Sequence, residues 1–154
     1  MEVEIVHFPE TKIAVVEHLD VPEKEYGSVQ KLVAWRMVNR LPPSEIHKSY
    51  GIHYNDPRKV LPSEYRVDLC VSVDKEVPAN TYGILNKVIP ALRCAKVRHF
   101  GSRKNVTAAY YLYEEWLPKS KAQRAPFPMF FHYINVGPHV KEADMVTDVY
   151  LPIL

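Results

Sequence analysis

The sequence reads as one arrangement written twice. His18 and His99 lie 81 residues apart, Trp35 and Trp116 also 81, and Asp68 and Asp148 80. Matches at a nearly constant offset, each pair falling in the same kind of predicted element, point to an internal duplication. The repeated order is strand, helix, strand, strand, a βαββ unit present at about residues 1–75 and 82–154. Neither repeat alone buries both a sheet face and a helix stripe well. The expectation is therefore a single domain over residues 1–154. Its fold class is α+β: duplicated βαββ units with pseudo-two-fold symmetry, antiparallel sheets, two main helices and a central cleft at the seam.

The elements follow from local chemistry. "VEIVHFP" and "TKIAVVEHLD" are rich in β-branched residues and are divided at Pro9, which predicts two short strands or one bent strand. From Pro22 to about Arg40 the period turns helical, with Tyr26, Val29, Val33 and Met37 as the apolar stripe, Asp20 as N-cap and Pro42-Pro43 as the stop. "HKSYGIHYN" and "YRVDLCVSV" read as strands. The second half opens with strands on either side of Pro90. A helix from about Lys104 to Leu117 follows, with Val106, Ala109, Tyr110, Tyr113, Trp116 and Leu117 along one stripe and Pro118 closing it. "MVTDVYLPI" is the last strand.

Composition removes whole classes of function. With 20 Lys+Arg against 18 Asp+Glu, no net field draws the chain to nucleic acid or to an anionic membrane. "MEVEIVHFPE" carries acids where a secretion signal carries a basic head, and no apolar run is long enough to span a bilayer, so a cytoplasmic protein is expected. Cys70 and Cys94 lack CxxC spacing. Five glycines and no P-loop, GxGxxG, GxSxG or HExxH string leave no phosphate cradle or familiar hydrolase site. Seven histidines are scattered without metal-ligand spacing, and none stands out as a haem ligand, so no metal or cofactor is expected. The basic stretches at 103–105 and 119–124 read as solvated loops or, failing that, as a contact for an acidic protein surface.

What remains is aromatic. In "PMFFHYIN", alternation places Met129, Phe131 and Tyr133 on one face of a strand and Phe130, His132 and Ile134 on the other. Beside the helix stripe of Tyr110, Tyr113 and Trp116, the Phe131 and Tyr133 face makes a wall of rings. Such a wall serves either as an aromatic core or as a clasp for a planar or cationic ligand, each ring contributing about 0.5–2 kcal/mol by stacking or cation–π contact.

The order of these segments resembles the GyrI-like (SbmC-like) small-molecule-binding family. It is carried by "VIPALRCAKVRHFG", the aromatic helix ending "YLYEEWLP", the strand "FPMFFHYINVGP" and the terminal "TDVYLPI". That family includes stand-alone gyrase inhibitory proteins and the effector-binding domains of AraC-type and MerR-type multidrug regulators; this chain looks like the stand-alone form. The resemblance implies non-enzymatic binding of small amphipathic or aromatic, drug-like and often cationic molecules in an aromatic cleft, for sequestration or sensing. The expected ligand-binding residues are Trp116, Tyr113, Tyr110, Phe131, Tyr133 and Tyr150, with Trp35 and His53 from the first repeat. Tyr150 is included because it alternates onto the face of Asp148.

One departure is plain. Where many relatives read F-E-x-Y, this chain reads Phe130, Phe131, His132, Tyr133, so a ring replaces the carboxylate that would oppose a cationic ligand. Glu64, Asp68 and Glu17 are candidate substitutes, whereas Glu114 and Glu115 are expected in solvent. Two alternatives accompany this reading. One is a protein-interaction role such as inhibition of a topoisomerase. The other is small-molecule hydrolysis with His53 or a substitute acid as base. A monomer and a homodimer are both compatible with the sequence.

Overall fold

A computed structural model describes residues 1–154. Eight strands and two helices appear in the predicted order: β1 Glu4–Phe8, β2 Thr11–Leu19, α1 Glu25–Val38, β3 Ser49–His53, β4 Arg66–Ser72, β5 Leu85–Ile89, β6 Leu92–Phe100, then a helix α2 over 107–119, β7 Met129–Tyr133 and β8 Val146–Ile153. All strand pairs within each unit are antiparallel, giving the α+β class. No helix is long and apolar enough to cross a membrane.

The register turns the 80 to 81-residue offset into geometry. Glu17 faces Asp68 across β2 and β4, and Arg98 faces Asp148 across β6 and β8. His53 faces Val67 just as Tyr133 faces Thr147. The two histidines do one job twice: His18 Nε2 lies 3.0 Å from the Val21 carbonyl and His99 Nε2 3.1 Å from the Ser102 carbonyl, each pinning the turn that leads into its helix.

The chain divides into two compact units, Met1–Glu10 with Pro90–Leu154, and Thr11–Ile89. They do not follow the sequence repeats, because the first strands are exchanged. In the first unit the order is β1-β6-β8-β7, and in the second it is β3-β4-β2-β5. Pro9 and Pro90 occupy equivalent places between β1 and β2 and between β5 and β6. Proline holds φ near −65°, which excludes the positive φ that a two-residue hairpin turn requires at these places.

In the unit Thr11–Ile89, α1 lies on β2 and β4 through Leu32 and Trp35, which pack with Ala14, Val16, Val67 and Leu69. This corrects the helix phase expected from the sequence. Tyr26, Val33 and Met37 are exposed, and the buried face is Leu32, Trp35 and Arg36. Trp35 thus faces its core, as Trp116 faces the core of the other unit. Arg36 is buried because its guanidinium ties the helix end to β3: Nε donates to the Leu41 carbonyl at 2.8 Å, and the two terminal nitrogens donate to Ser49 Oγ at 2.8 Å and the His47 carbonyl at 3.1 Å. No side chain caps α1, and Asp20 instead accepts from its neighbour Val21 N–H at 2.7 Å.

In the other unit, α2 begins as an α-helix at Thr107–Tyr110, widens to π winding over Tyr111–Trp116 and closes with Leu117–Lys119. The Leu117 N–H reaches back to the Leu112 carbonyl, five residues earlier. Pro118 lies inside the last turn rather than ending the helix before it. A proline there cannot donate to, and would clash with, the carbonyl four residues back in regular α winding. Both cysteines are free and buried.

Candidate functional site

Alternation along β7 sends Met129 and Phe131 into the core of the first unit, where they meet Val149 and Leu151 of β8 and Ala108, Ala109 and Leu112 of α2. The small side chains Ala108 and Ala109 leave room for the rings of β7. Tyr111, Trp116 and Tyr133 are half-buried against this cluster, so each keeps part of its ring in the core and part outside. Tyr133 stands nearly perpendicular to Phe131, with ring centres 6.3 Å apart and an interplanar angle of 87°.

A fixed cation borders the same face. The Arg103 guanidinium sits 5.1 Å from the centre of the Tyr133 ring. Its Nε donates to Thr147 Oγ1 at 2.8 Å, and Nη2 donates to the carbonyls of Val146 at 2.7 Å and Asn135 at 2.9 Å. Burial pulls its pKa down, yet a guanidinium starts high enough to stay charged. In the sequence Arg103 belongs to a basic stretch expected in solvent or against an acidic protein surface. Nothing in a single sequence reveals that β8 and the loop after β7 would present four acceptors to it, the Asn135 Oδ1 at 3.2 Å being the fourth.

The expected site residues separate. Phe131, Tyr133 and Trp116 come together on the helix-facing side. Tyr110 is half-buried on α2, and Tyr111, which the sequence analysis did not single out, packs against the cluster. Tyr113 is turned outward, 37% exposed, where it accepts a hydrogen bond from Arg124 and lies under that guanidinium at 4.5 Å. The π winding explains it, since adding a residue to the turn rotates Tyr113 off the stripe that i,i+3 spacing predicts. Tyr150 is a correction: β8 pairs it with Phe130 and pairs Phe131 with Val149, so Tyr150 lies on the opposite face of the sheet from Phe131 and Tyr133. There it stacks on Phe130 at 4.9 Å, with Phe8 edge-on to both.

In the second unit, Trp35 is a core residue, and His53 points to the helix-facing side opposite Val67. Burial pushes the His53 imidazole down to about 4. A base that weak is poorly matched to proton abstraction near neutral pH. The candidate acids lie elsewhere. Asp68 and Glu17 face the other side of the sheet, where Lys87 binds both at 2.7 and 2.8 Å, and Glu64 is exposed. Glu114 and Glu115 are exposed, as expected.

The depressed His53 pKa predicts a pH-dependent loss of stability. The fold favours the neutral ring, so its contribution is fully present above the unfolded value of about 6.5 and is lost as pH falls towards about 4, up to about 3 kcal/mol in all. Urea titrations at pH 7.5, 6 and 5 should show wild type losing about 2 kcal/mol more than His53→Gln by pH 5. Parallel pH profiles for the two would contradict it.

A family model described as the GyrI-like small molecule binding domain matches residues 1–154. The probable transcriptional regulator YgiV of Escherichia coli K12 is 32% identical over 154 residues, covering 99% of this chain and 96% of that protein. The fold is similar to the crystal structure of the EcmrR C-terminal domain, with a TM-score of 0.78 at 16% identity over 99% of this chain and 97% of that one. It is also similar to the structure of SAV2435 bound to tetraphenylphosphonium, with a TM-score of 0.62 at 10% identity over 100% of this chain and 94% of that one.

Proposed function

Because the chain belongs to the GyrI-like small-molecule-binding domain family, we propose that it binds small aromatic or amphipathic molecules against the helix-facing rings of the unit Met1–Glu10 and Pro90–Leu154. It acts there as a sensing or sequestering module without chemistry of its own. The observation that carries the reading is the set of half-buried rings, Tyr111, Trp116 and Tyr133, arranged around Phe131. Rings held half in a core are already ordered, so a flat ligand can stack on them at little entropic cost.

Charge preference follows from what borders the rings. SAV2435 holds a lipophilic cation. In this chain Phe131 stands where a carboxylate would oppose such a cation, and a fixed charge beside the rings is the Arg103 guanidinium, 5.1 Å from the centre of Tyr133. Neutral and anionic aromatic molecules are favoured over cations. The suppressed basicity of His53, the base that hydrolysis would need, supports binding rather than hydrolysis.

Intrinsic tryptophan fluorescence, titrated with a cationic, a neutral and an anionic aromatic dye, tests the proposal. Saturable quenching by the neutral and anionic dyes is expected, with the signal lost in Trp116→Phe and kept in Trp35→Phe. A flat response to all three dyes would sink it.

A further inference from the structure

Helix α1 carries an apolar face that the fold does not use. Its exposed residues include Tyr26, Val33, Met37 and Val38, at 70, 46, 75 and 65% exposure, together with Gly27 and Ala34; Gln30 and Lys31 are the only polar side chains on that side. Isolated exposed apolar residues are ordinary, but a continuous stripe of them is a mark of an interaction surface. The protein supplies its own comparison. At the 81-residue offset, Val33 and Ala34 correspond to Glu114 and Glu115 of α2, which are exposed and charged as a solvated helix face should be. At these two positions the first repeat carries apolar side chains where the second carries acids.

The spacing of the stripe is that of a helix–helix seam. Tyr26, Gln30, Val33 and Met37 follow a 4-3-4 pattern, the alternation of a and d positions in a coiled coil. Gly27 and Ala34 flank it seven residues apart, and the position of a Gly27 Cβ has nothing within 4 Å, so a second helix can approach closely on that side. The stripe is also self-complementary. Tyr26 and Met37, Gln30 and Val33, and beyond the ends Glu23 and Arg40, are each symmetric about the midpoint between residues 31 and 32. In an antiparallel two-fold pairing, Tyr26 meets the Met37 of the other copy, a favourable sulfur–aromatic pair, and the exposed Glu23 meets an exposed Arg40 at both ends.

We propose that this face of α1 is a homodimer interface, in which the helices of two copies pack antiparallel about a two-fold axis at residues 31 and 32. A helix of 14 residues spans about 21 Å, so the contact stands at the small end of specific interfaces and gives a concentration-dependent dimer. The two symmetric Glu23–Arg40 pairs fix the orientation, because a parallel pairing would set like charges together at each end.

Sedimentation velocity on the purified chain, over a concentration series reaching several hundred micromolar, tests this. Wild type is expected to shift from monomer to dimer as concentration rises. Replacing Val33 and Ala34 by the Glu-Glu of the other repeat should leave a monomer throughout, with an unchanged far-UV spectrum and melting curve showing that the fold survives. Glu23→Arg and Arg40→Glu should each weaken the dimer about fivefold, as expected for two exposed pairs per dimer, and the double reversal should restore it. A wild type that stays monomeric at every concentration would overturn the proposal. So would a dimer indifferent to the Val33 and Ala34 replacement, or single reversals that the double reversal does not rescue.

Discussion

Lys87→Ala is expected to cost about 3–5 kcal/mol of stability, far more than a partly exposed lysine usually does. The reason is Asp68, whose carboxylate is fully buried on β4. Its Oδ2 accepts from Tyr54 Oη at 2.6 Å and from Lys87 Nζ at 2.7 Å, while its Oδ1 has no hydrogen-bond partner. Lys87 reaches it from the exchanged strand β5 and also holds Glu17 at 2.8 Å. Burial works against the ammonium, but the hydrogen bonds to Asp68 and Glu17 outweigh it and raise the lysine pKa. Taking the cation away leaves a buried carboxylate with a single neutral donor. Urea denaturation measures the loss, and adding Asp68→Leu to Lys87→Ala should recover most of it, since an apolar side chain leaves no charge to compensate. A loss below about 1 kcal/mol would show that the pair carries no such weight. The other repeat solves the same problem with different residues: Asp148 is held by Arg98 in a bidentate pair at 2.8 and 3.1 Å, with Lys96 at 3.4 Å.

Phe130→Ala should cost a similar amount, about 3–5 kcal/mol. Phe130 is fully buried, stacked on Tyr150 at 4.9 Å with 4° between the planes, and met edge-on by Phe8 at 4.9 Å and Phe127 at 6.1 Å. Truncation leaves a cavity walled by rigid rings, which collapse poorly. Phe8 belongs to β1, which hydrogen-bonds only along β6 in its own unit, so β1 should lose amide-exchange protection before β6 and β8 do. Phe130→Leu, which refills much of the volume, should cost less than half as much. Equal losses for Ala and Leu, or no change in β1 exchange, would contradict the account.

Much of this was legible because it depends on local chemistry. Runs of β-branched residues bounded by Pro9 and Pro90 mark the strands. The duplication shows through His18 and His99, Trp35 and Trp116, and Asp68 and Asp148, because each pair occupies a fixed register. The failures share a cause. Periodicity finds an apolar stripe but cannot say which stripe faces inward when a helix has two. On α1 the outward set of Tyr26, Val33 and Met37 is more apolar than the inward set, which contains Arg36. Alternation along β8 puts Tyr150 with Asp148, but only the pairing with β7 decides which face that is. Tyr113 left its predicted stripe through π winding, which residue spacing does not encode. Arg103 depends on acceptors more than 30 residues away in the chain.

The central claim is that this family member binds aromatic molecules without an acidic group to select cations. Isothermal titration with tetraphenylphosphonium and tetraphenylborate, two ions of the same shape and opposite charge, tests it most directly. The account predicts that the borate binds at least as tightly as the phosphonium, and that Arg103→Met lowers borate affinity while leaving the phosphonium unchanged or improved. A wild type that binds the phosphonium more than tenfold tighter than the borate, or binds neither, would contradict it.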